Sequence, residues 1–337
     1  MKNKSLFIIL LGVLIITLSS CSKSRFKIDT HQNRVEVKIH RFDKDLLSLD
    51  TINLNPGVDS LYTHYPEFLA TFTTNILDTM ATDTVAVRNL FHQFLADKTY
   101  APVNKKAKEI YGGDITDIQT KISDAYTYIH YYFPEVKLPE VYFFVSGFNQ
   151  QLMMNEKFIG IGTDFYLGND FPLYKNLTYE YLIFNMRREN IASDLVSATL
   201  FRMFVMNSTE DRLLDNMLFR GKIMYLLSVF MPDEKPDILM GYTPDQWKWS
   251  VKYEKQIWAA IVDQKHLFST DVQLIHKYLN DAPFTSPVSQ ESPGRLGTFI
   301  GWQIVKSYMD NNEKIGIKDL MNEENYQKIL ENSGYRP

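Results

Sequence analysis

The sequence predicts an α+β fold, mostly helical, with a small N-terminal and central β-sheet. Three observations carry this. Val35, Val37 and Ile39 alternate with Glu36, Lys38 and His40 between Arg34 and Phe42, the period of two expected of a half-buried strand. Val141 to Val145 and Phe158 to Gly162 are short apolar runs bounded by prolines or glycines, which read as buried strands. Most of the remaining chain repeats its apolar residues at helical spacing. With 337 residues, 45% hydrophobic and 23% charged, the chain has enough apolar mass for a large core. No repeat or low-complexity block divides its mature part.

The first 20 residues have the layout of a secretory signal: Lys2 and Lys4, then the apolar run Leu6 to Leu18, then Ser19 and Ser20. That run is shorter than the roughly 20 residues a membrane span needs. It ends in Leu18-Ser19-Ser20-Cys21, which looks like a bacterial lipobox, with Cys21 as the lipidation site. Cys21 is the chain's single cysteine, so acylation would consume its thiol and no disulfide can form. Residues 21–33 are polar and basic and read as a lipidated tether, and 34–337 as one domain. No acidic run follows Cys21, so nothing argues for export to the outer surface. The body is expected to face the periplasm, with the inner leaflet of the outer membrane favoured over the inner membrane.

Beyond the first strand, Asp43-Lys-Asp-Leu-Leu opens a short helix, and Asn55-Pro-Gly57 breaks the chain before another that reaches Tyr65-Pro66. From Asp83 to Ala96 the set Val87, Leu90, Phe91, Phe94 and Leu95 marks a helix. Gly112-Gly-Asp114 is a turn before a helix to Phe133 that buries Ile115, Ile118, Ile122, Tyr126 and Ile129. Ser146-Gly-Phe-Asn149 turns the strand Val141 to Val145 towards Phe158 to Gly162 as a hairpin partner. A long helical segment centred on Ile191 to Phe201 follows. Ser208-Thr-Glu-Asp211 is arranged as a capping box for a helix from Asp211 to Phe230. Thr243-Pro-Asp-Gln246 starts the next helix, with a hydroxyl cap, a proline in the first turn and a glutamine that reaches back. Trp247, Val251, Trp258, Ile261 and Val262 form its buried face. Asn280-Asp-Ala-Pro283 to Ser292-Pro-Gly-Arg295 is a turn-rich connection, and helices over Leu296 to Met309, Ile317 to Met321 and Asn325 to Leu330 close the chain.

Several chemistries are disfavoured. A formal net charge of -4 with interspersed signs gives no field that gathers nucleic acid. There is no G-x-S-x-G elbow, P-loop or dinucleotide fingerprint. His266 and His276 lie ten residues apart, nearly three helical turns, so on one helix they cannot share a metal. His40 and His92 read as solvated or boundary residues. Arg295 sits where a turn would place it at a helix start, able to hold an anion or a partner or to pair with Glu291 or Asp281.

Taken together, several runs resemble the gliding-motility lipoprotein GldB family: Arg41-Phe-Asp-Lys-Asp45, Tyr132-Phe-Pro134 leading to Leu138-Pro-Glu-Val-Tyr142, Ser146-Gly-Phe-Asn149, Ile159-Gly-Ile-Gly162 and Leu167-Gly168. Further on come Gly221-Lys222, Gly241-Tyr-Thr-Pro244, Leu279 to Phe284, Ser292 to Gly297, and Gly301-Trp-Gln-Ile-Val305. The resemblance implies an envelope lipoprotein needed for gliding and the associated type IX secretion system. It also implies a degenerate zincin-like fold, similar to predicted zinc peptidases that carry H-E-x-x-H. Here Asp194-Leu-Val-Ser-Ala198 stands at that motif, so Asp194, Leu195 and Ala198 are degenerate metal-helix positions. Arg220 stands where a third ligand would come from. Leu195 cannot act as a base and Ala198 offers no donor.

The expectation is a pseudoenzyme with no metal and no cofactor. It would be tied to the membrane by its lipid and bind other gliding-motility and secretion envelope proteins through a residual groove rimmed by Phe165, Tyr166 and Tyr174. The alternative is a periplasmic hydrolase acting on peptide or peptidoglycan with non-standard ligands. It would draw on Asp164, Glu180, Glu189 and Asp194.

Overall fold

The computed structural model describes residues 25–337. Its centre is a four-stranded sheet in the order β1-β2-β4-β3, formed by β1 (Ile39–Arg41), β2 (Glu140–Phe144), β3 (Leu152–Met154) and β4 (Phe158–Gly162). β1 and β4 both pair with β2 in parallel, whereas β3 runs antiparallel to β4 along the edge. The hairpin is therefore β3–β4, and the strand expected to turn directly into β4 is instead its parallel neighbour. Eight residues after Phe144, the chain has room to insert a short strand beyond β4, which covers the edge that a direct hairpin would have left open.

β1 is shorter than the alternation Arg34–Phe42 suggests. The Val35 and Val37 amides donate to Thr127 Oγ1 (2.9 Å) and Ser123 Oγ (3.1 Å). Hydroxyls on the neighbouring helix satisfy that backbone in place of a ladder partner. Nor is the expected tether free over its described part, because Phe26 is buried in the core and Arg25 donates to the Met309 and Ile315 carbonyls.

Six helices separate β1 from β2: α1 (Phe42–Leu47), α2 (Leu54–His64), α3 (Pro66–Asn75), α4 (Thr84–Ala96), α5 (Ala101–Tyr111) and α6 (Thr116–Tyr132). Pro56 and Gly57 lie inside the first turn of α2, where the proline's missing N–H leaves no bond unmade. Asp83 caps α4 through the Ala86 amide. On one sheet face Phe42, Phe68 and Phe72 pack with Tyr142, Phe144 and Phe158; Phe68 stacks on Tyr142 with ring centres 4.4 Å apart. Gly160 sits beneath this aromatic layer, where a Cβ would come within 2.9 Å of the Phe68 ring. Ile159 and Ile161 are buried on the opposite face.

After β4 come a 3-10 turn (Thr163–Tyr166) and the short helices α7 (Tyr174–Leu177) and α8 (Glu180–Ile183). The chain then becomes fully helical: α9 (Ile191–Met203), α10 (Leu213–Phe230), α11 (Pro236–Met240), α12 (Pro244–Lys252), α13 (Glu254–Asp263), α14 (Val272–Leu279), α15 (Leu296–Asn311), α16 (Ile317–Asn322) and α17 (Tyr326–Ser333). α10 begins at Leu213, because the residue reaching back to the cap is Asp215, which accepts the Arg212 amide at 3.1 Å. Ser208 instead accepts the Glu210 and Asp211 amides in a turn. The Thr243–Gln246 capping box forms as expected. The helix it opens stops at Tyr253, and this break shifts the phase: Ile257 and Ile261 are buried while Val251 and Val262 are exposed.

α10 and α15 cross backbone to backbone. A Cβ on Gly301 would stand 1.9 Å from the Met217 carbonyl oxygen, and one on Gly221 would stand 2.3 Å from Gly301 itself. Only glycine at both positions permits that approach. It brings Arg220 on α10 and the first turns of α15 to the walls of one cavity.

Candidate functional site

α9 turns Asp194, Ser197, Ala198 and Phe201, residues at helical i, i+3, i+4 and i+7 spacing, towards a cavity of about 400 Å3. Gln151 and Leu152 enter it from the sheet edge, Phe165 from the turn after β4, Arg220 and Met224 from α10, Asp281 from the α14–α15 connection, and Arg295 and Thr298 from α15. Asp194, Ala198, Arg220 and Arg295 are thus brought together. Leu195 is not; its side chain is fully buried in the core. A larger cavity, about 750 Å3, lies beside Arg25, Tyr225 and Trp302, but no side chain lining it holds a buried polar atom without a partner.

Asp194 is held from below. Its Oδ2 accepts the Tyr166 hydroxyl at 2.7 Å, and that hydroxyl accepts Gln151 Nε2 at 2.7 Å. Burial pushes the Asp194 carboxyl up to about 6, with the Tyr166 hydrogen bond and the Arg295 charge opposing the rise and Asp281 adding to it. Tyr166 and Tyr174 are fully buried, so of the three aromatics expected at the rim only Phe165 lines the cavity. Their hydroxyls explain this: Tyr166 serves Asp194, and Tyr174 accepts the Leu167 amide at 2.8 Å while donating to the Asp164 carbonyl at 2.8 Å.

Two guanidinium groups face the carboxyl from the other side. Arg220 Nη1 donates to the Leu279 carbonyl at 2.8 Å. Burial pulls its pKa down, and the charge of Arg295 does so further. Arg295 caps α15 in the left-handed region at φ 60°, a conformation that costs a non-glycine residue about 1–2 kcal/mol. Its Nη1 donates to the Met240 carbonyl at 3.0 Å and stands 3.7 Å from Asp281 Oδ1. Asp281 is therefore its ion-pair partner. Gly241 makes room for this, since a Cβ there would press on Arg295 at 3.2 Å and Asn185 at 3.1 Å.

The residues do not fit a catalytic zinc, which needs three protein donors. Ala198 supplies none, Arg220 and Arg295 repel a cation, and among the described residues no three His, Cys, Asp or Glu side chains converge. Of the carboxylates weighed for hydrolysis, only Asp194 lines the cavity. Glu180 and Glu189 are exposed. Asp164 is fully buried and organises the loop after β2, its Oδ2 accepting the Phe148 amide at 2.8 Å and the Ser146 amide at 3.1 Å.

His266 pairs with the Tyr278 hydroxyl at 3.0 Å, and His276 and His92 are exposed. His40 is half-buried and stacked on Tyr142 at 4.5 Å, with burial lowering its pKa. The sequence pattern does not mark Gln151, Ser197 and Thr298 as site residues, and it marks Asp281 only as a pairing partner for Arg295. Ser197 had a signal, since it shares the face of α9 with Asp194. Thr298 had only its place one turn after Arg295.

A family model described as the gliding motility protein GldB matches residues 23–337. The chain belongs to that family. Membership of the GldB family implies a lipoprotein involved in gliding motility. No curated protein and no solved structure matches the chain. Several runs that carried the resemblance hold the fold together. Arg41 grips Asp43 with two bonds of 2.8 Å, and Tyr65 donates to Asp45 at 2.6 Å. Gly221 and Gly301 form the helix crossing. Lys222 is buried against the Glu323 carbonyl and the Tyr326 ring, and burial lowers its pKa to about 8. Cys21 lies outside the described residues. No helix among them is long and apolar enough to cross a membrane.

Proposed function

We propose that this GldB-family protein is a non-catalytic lipoprotein, anchored through Cys21 and facing the periplasm, that binds partners of the gliding and type IX secretion machinery through the α9 cavity. One observation carries the reading. The cavity where a hydrolytic metal would need donors offers instead Asp194 and an Arg295-paired Asp281, opposed by Arg220 and Arg295. Such a cavity recognises a polar ligand by charge and hydrogen bonding and has no activated nucleophile of its own. The signal layout and lipobox support the anchor, and the absence of an acidic run after Cys21 leaves no signal for export to the outer surface.

The observation that favours hydrolysis is the Asp194 carboxyl itself, raised to about 6, a value suited to a general acid. It has no second carboxylate beside it that is free of Arg295. The test combines fractionation, recovery and chemistry. The lipidated protein should partition with membranes and crosslink to motility or secretion components, whereas Cys21→Ser should leave the membrane fraction and lose those crosslinks. One equivalent of tightly held zinc, or turnover of a peptide or peptidoglycan substrate by purified protein, would overturn the non-catalytic reading.

A further inference from the structure

The Thr298 hydroxyl is the anomaly in the cavity. Thr298 is only 2% exposed and lines the cavity, yet its Oγ1 has no hydrogen-bond partner among the described residues. A helical threonine usually donates back to the carbonyl four residues earlier. Here that carbonyl, on Gly294, is taken by the Tyr242 hydroxyl at 2.5 Å. A buried hydroxyl left unpaired costs about 1–3 kcal/mol, so an incoming ligand atom would recover that loss.

The groups around it specify the ligand. The guanidinium of Arg295, three residues earlier, hydrogen-bonds described residues through Nη1, and a guanidinium has five N–H donors. Arg220 stands close enough to Arg295 for that charge to add to burial in lowering the Arg220 pKa. Asp194 accepts through Oδ2 and leaves Oδ1 open. Leu152, Phe165, Phe201 and Met224 give the cavity apolar walls. Asp194 and Asp281 disfavour a doubly charged anion such as phosphate. A ligand that meets every group carries one carboxylate for the guanidinium and hydroxyl donors, an N–H for Asp194, and an apolar side chain. These are the features of the last residue of a peptide chain.

We propose that this cavity binds the free C-terminal carboxylate of a peptide with an apolar last residue, held by Arg295, Arg220 and Thr298. The proposal deepens the partner-binding reading and rests on it. A carboxylate–guanidinium pair is shorter and about twice as strong as a neutral hydrogen bond, so discrimination should fall on the terminal charge.

The test titrates full-length lipidated protein in detergent micelles with N-acetylalanylphenylalanine and with its C-terminal amide, followed by calorimetry. The acid should bind, and the amide should bind at least about tenfold more weakly, the loss expected for one charge-assisted contact of about 1.5 kcal/mol. Arg295→Gln should abolish the preference for acid over amide. Because Arg295 also closes the α15 terminus, Thr298→Val serves as the second variant. It should raise the thermal midpoint of the free protein slightly, because the unpaired hydroxyl is gone, and weaken the acid by about threefold to tenfold, since it removes a donor without removing volume. N-acetylphenylalanine binding as well as the dipeptide would assign the site to the last residue alone, and stronger dipeptide binding would extend it to a chain end; both support the proposal. Equal binding of acid and amide, no binding of either at about ten millimolar, which is weaker than about 3 kcal/mol, or unchanged acid binding by Thr298→Val would overturn it. If the acid fails while motility components still crosslink to the lipidated protein, only the cavity assignment falls.

Discussion

Gly301→Ala is the substitution that most directly tests how the cavity is assembled. The added methyl would lie 1.9 Å from the Met217 carbonyl oxygen and 2.6 Å from its carbon. An ordinary carbon–oxygen contact is about 3.3 Å, so α10 and α15 must separate by roughly 1.4 Å or rotate. A gap of 0.5–1 Å already forfeits about a quarter to a half of the local dispersion energy. The flanking side chains, Leu214, Leu218, Ile300 and Ile304, are all fully buried. Overpacking therefore costs about 3 kcal/mol, the upper end of its usual range, and the better helix propensity of alanine returns about 1 kcal/mol. The net loss is about 2 kcal/mol, which for a folded body spanning residues 25–337 should lower the midpoint of thermal unfolding by about 3 °C. Because Arg220 is adjacent to Gly221 and Thr298 lies one turn before Gly301, separation would also widen the cavity and weaken binding of the peptide acid. Gly113→Ala is the control: a Cβ there meets nothing within 4 Å, so stability should stay level or rise by about 0.4–1 kcal/mol. A Gly301→Ala protein that melts within about 1 °C of the parent would refute the backbone crossing, since 2 kcal/mol cannot hide in so small a shift.

Burial raises Asp164 from 3.8 to about 6, so the folded state holds its proton more tightly than the unfolded chain. The associated stability is fully present below about pH 4 and is lost as pH rises through about 6, a change of about 3 kcal/mol at 1.36 kcal/mol per unit. Ser146, Phe148 and Tyr174 are the groups that face it. Asp164→Asn should flatten this part of the curve in denaturant titrations at pH 4 and pH 7; a variant with the parent's slope would refute the assignment. Tyr166→Phe removes the hydroxyl that stabilises ionised Asp194, so the Asp194 carboxyl should titrate above 6 by carbon NMR, and an unchanged value would show that the bond is unimportant. Thr243→Ala deletes one arm of the α12 capping box and should cost about 1 kcal/mol in urea unfolding; no measurable loss would show that the cap contributes nothing to stability.

Local pattern by itself determined a good deal. The apolar spacing of Ile118, Ile122, Tyr126 and Ile129 places a helix where α6 lies, and Phe158 to Gly162 is a strand with those ends. Thr243 and Gln246 cap as their types require, because a cap is a contact between residues three apart. The runs shared with the GldB family were readable for the same reason, and the family match follows them over residues 23–337.

Only the tertiary structure decided which strands pair and what meets at the cavity. β2 and β4 are equally apolar and would suit either direction. Their parallel register depends on inserting Leu152–Met154 at the edge, a competition between distant segments that no short window encodes. Val35 and Val37 alternate as a strand should, yet Thr127 and Ser123, 92 and 86 residues on, satisfy their amides. Asp194, Arg220, Asp281 and Thr298 stand on separate elements and share a wall because Gly221 and Gly301 let two helices touch. Sequence periodicity reports which face of an element is buried; which partner covers that face is set by long-range packing, where volume, charge and hydrogen bonding are satisfied together.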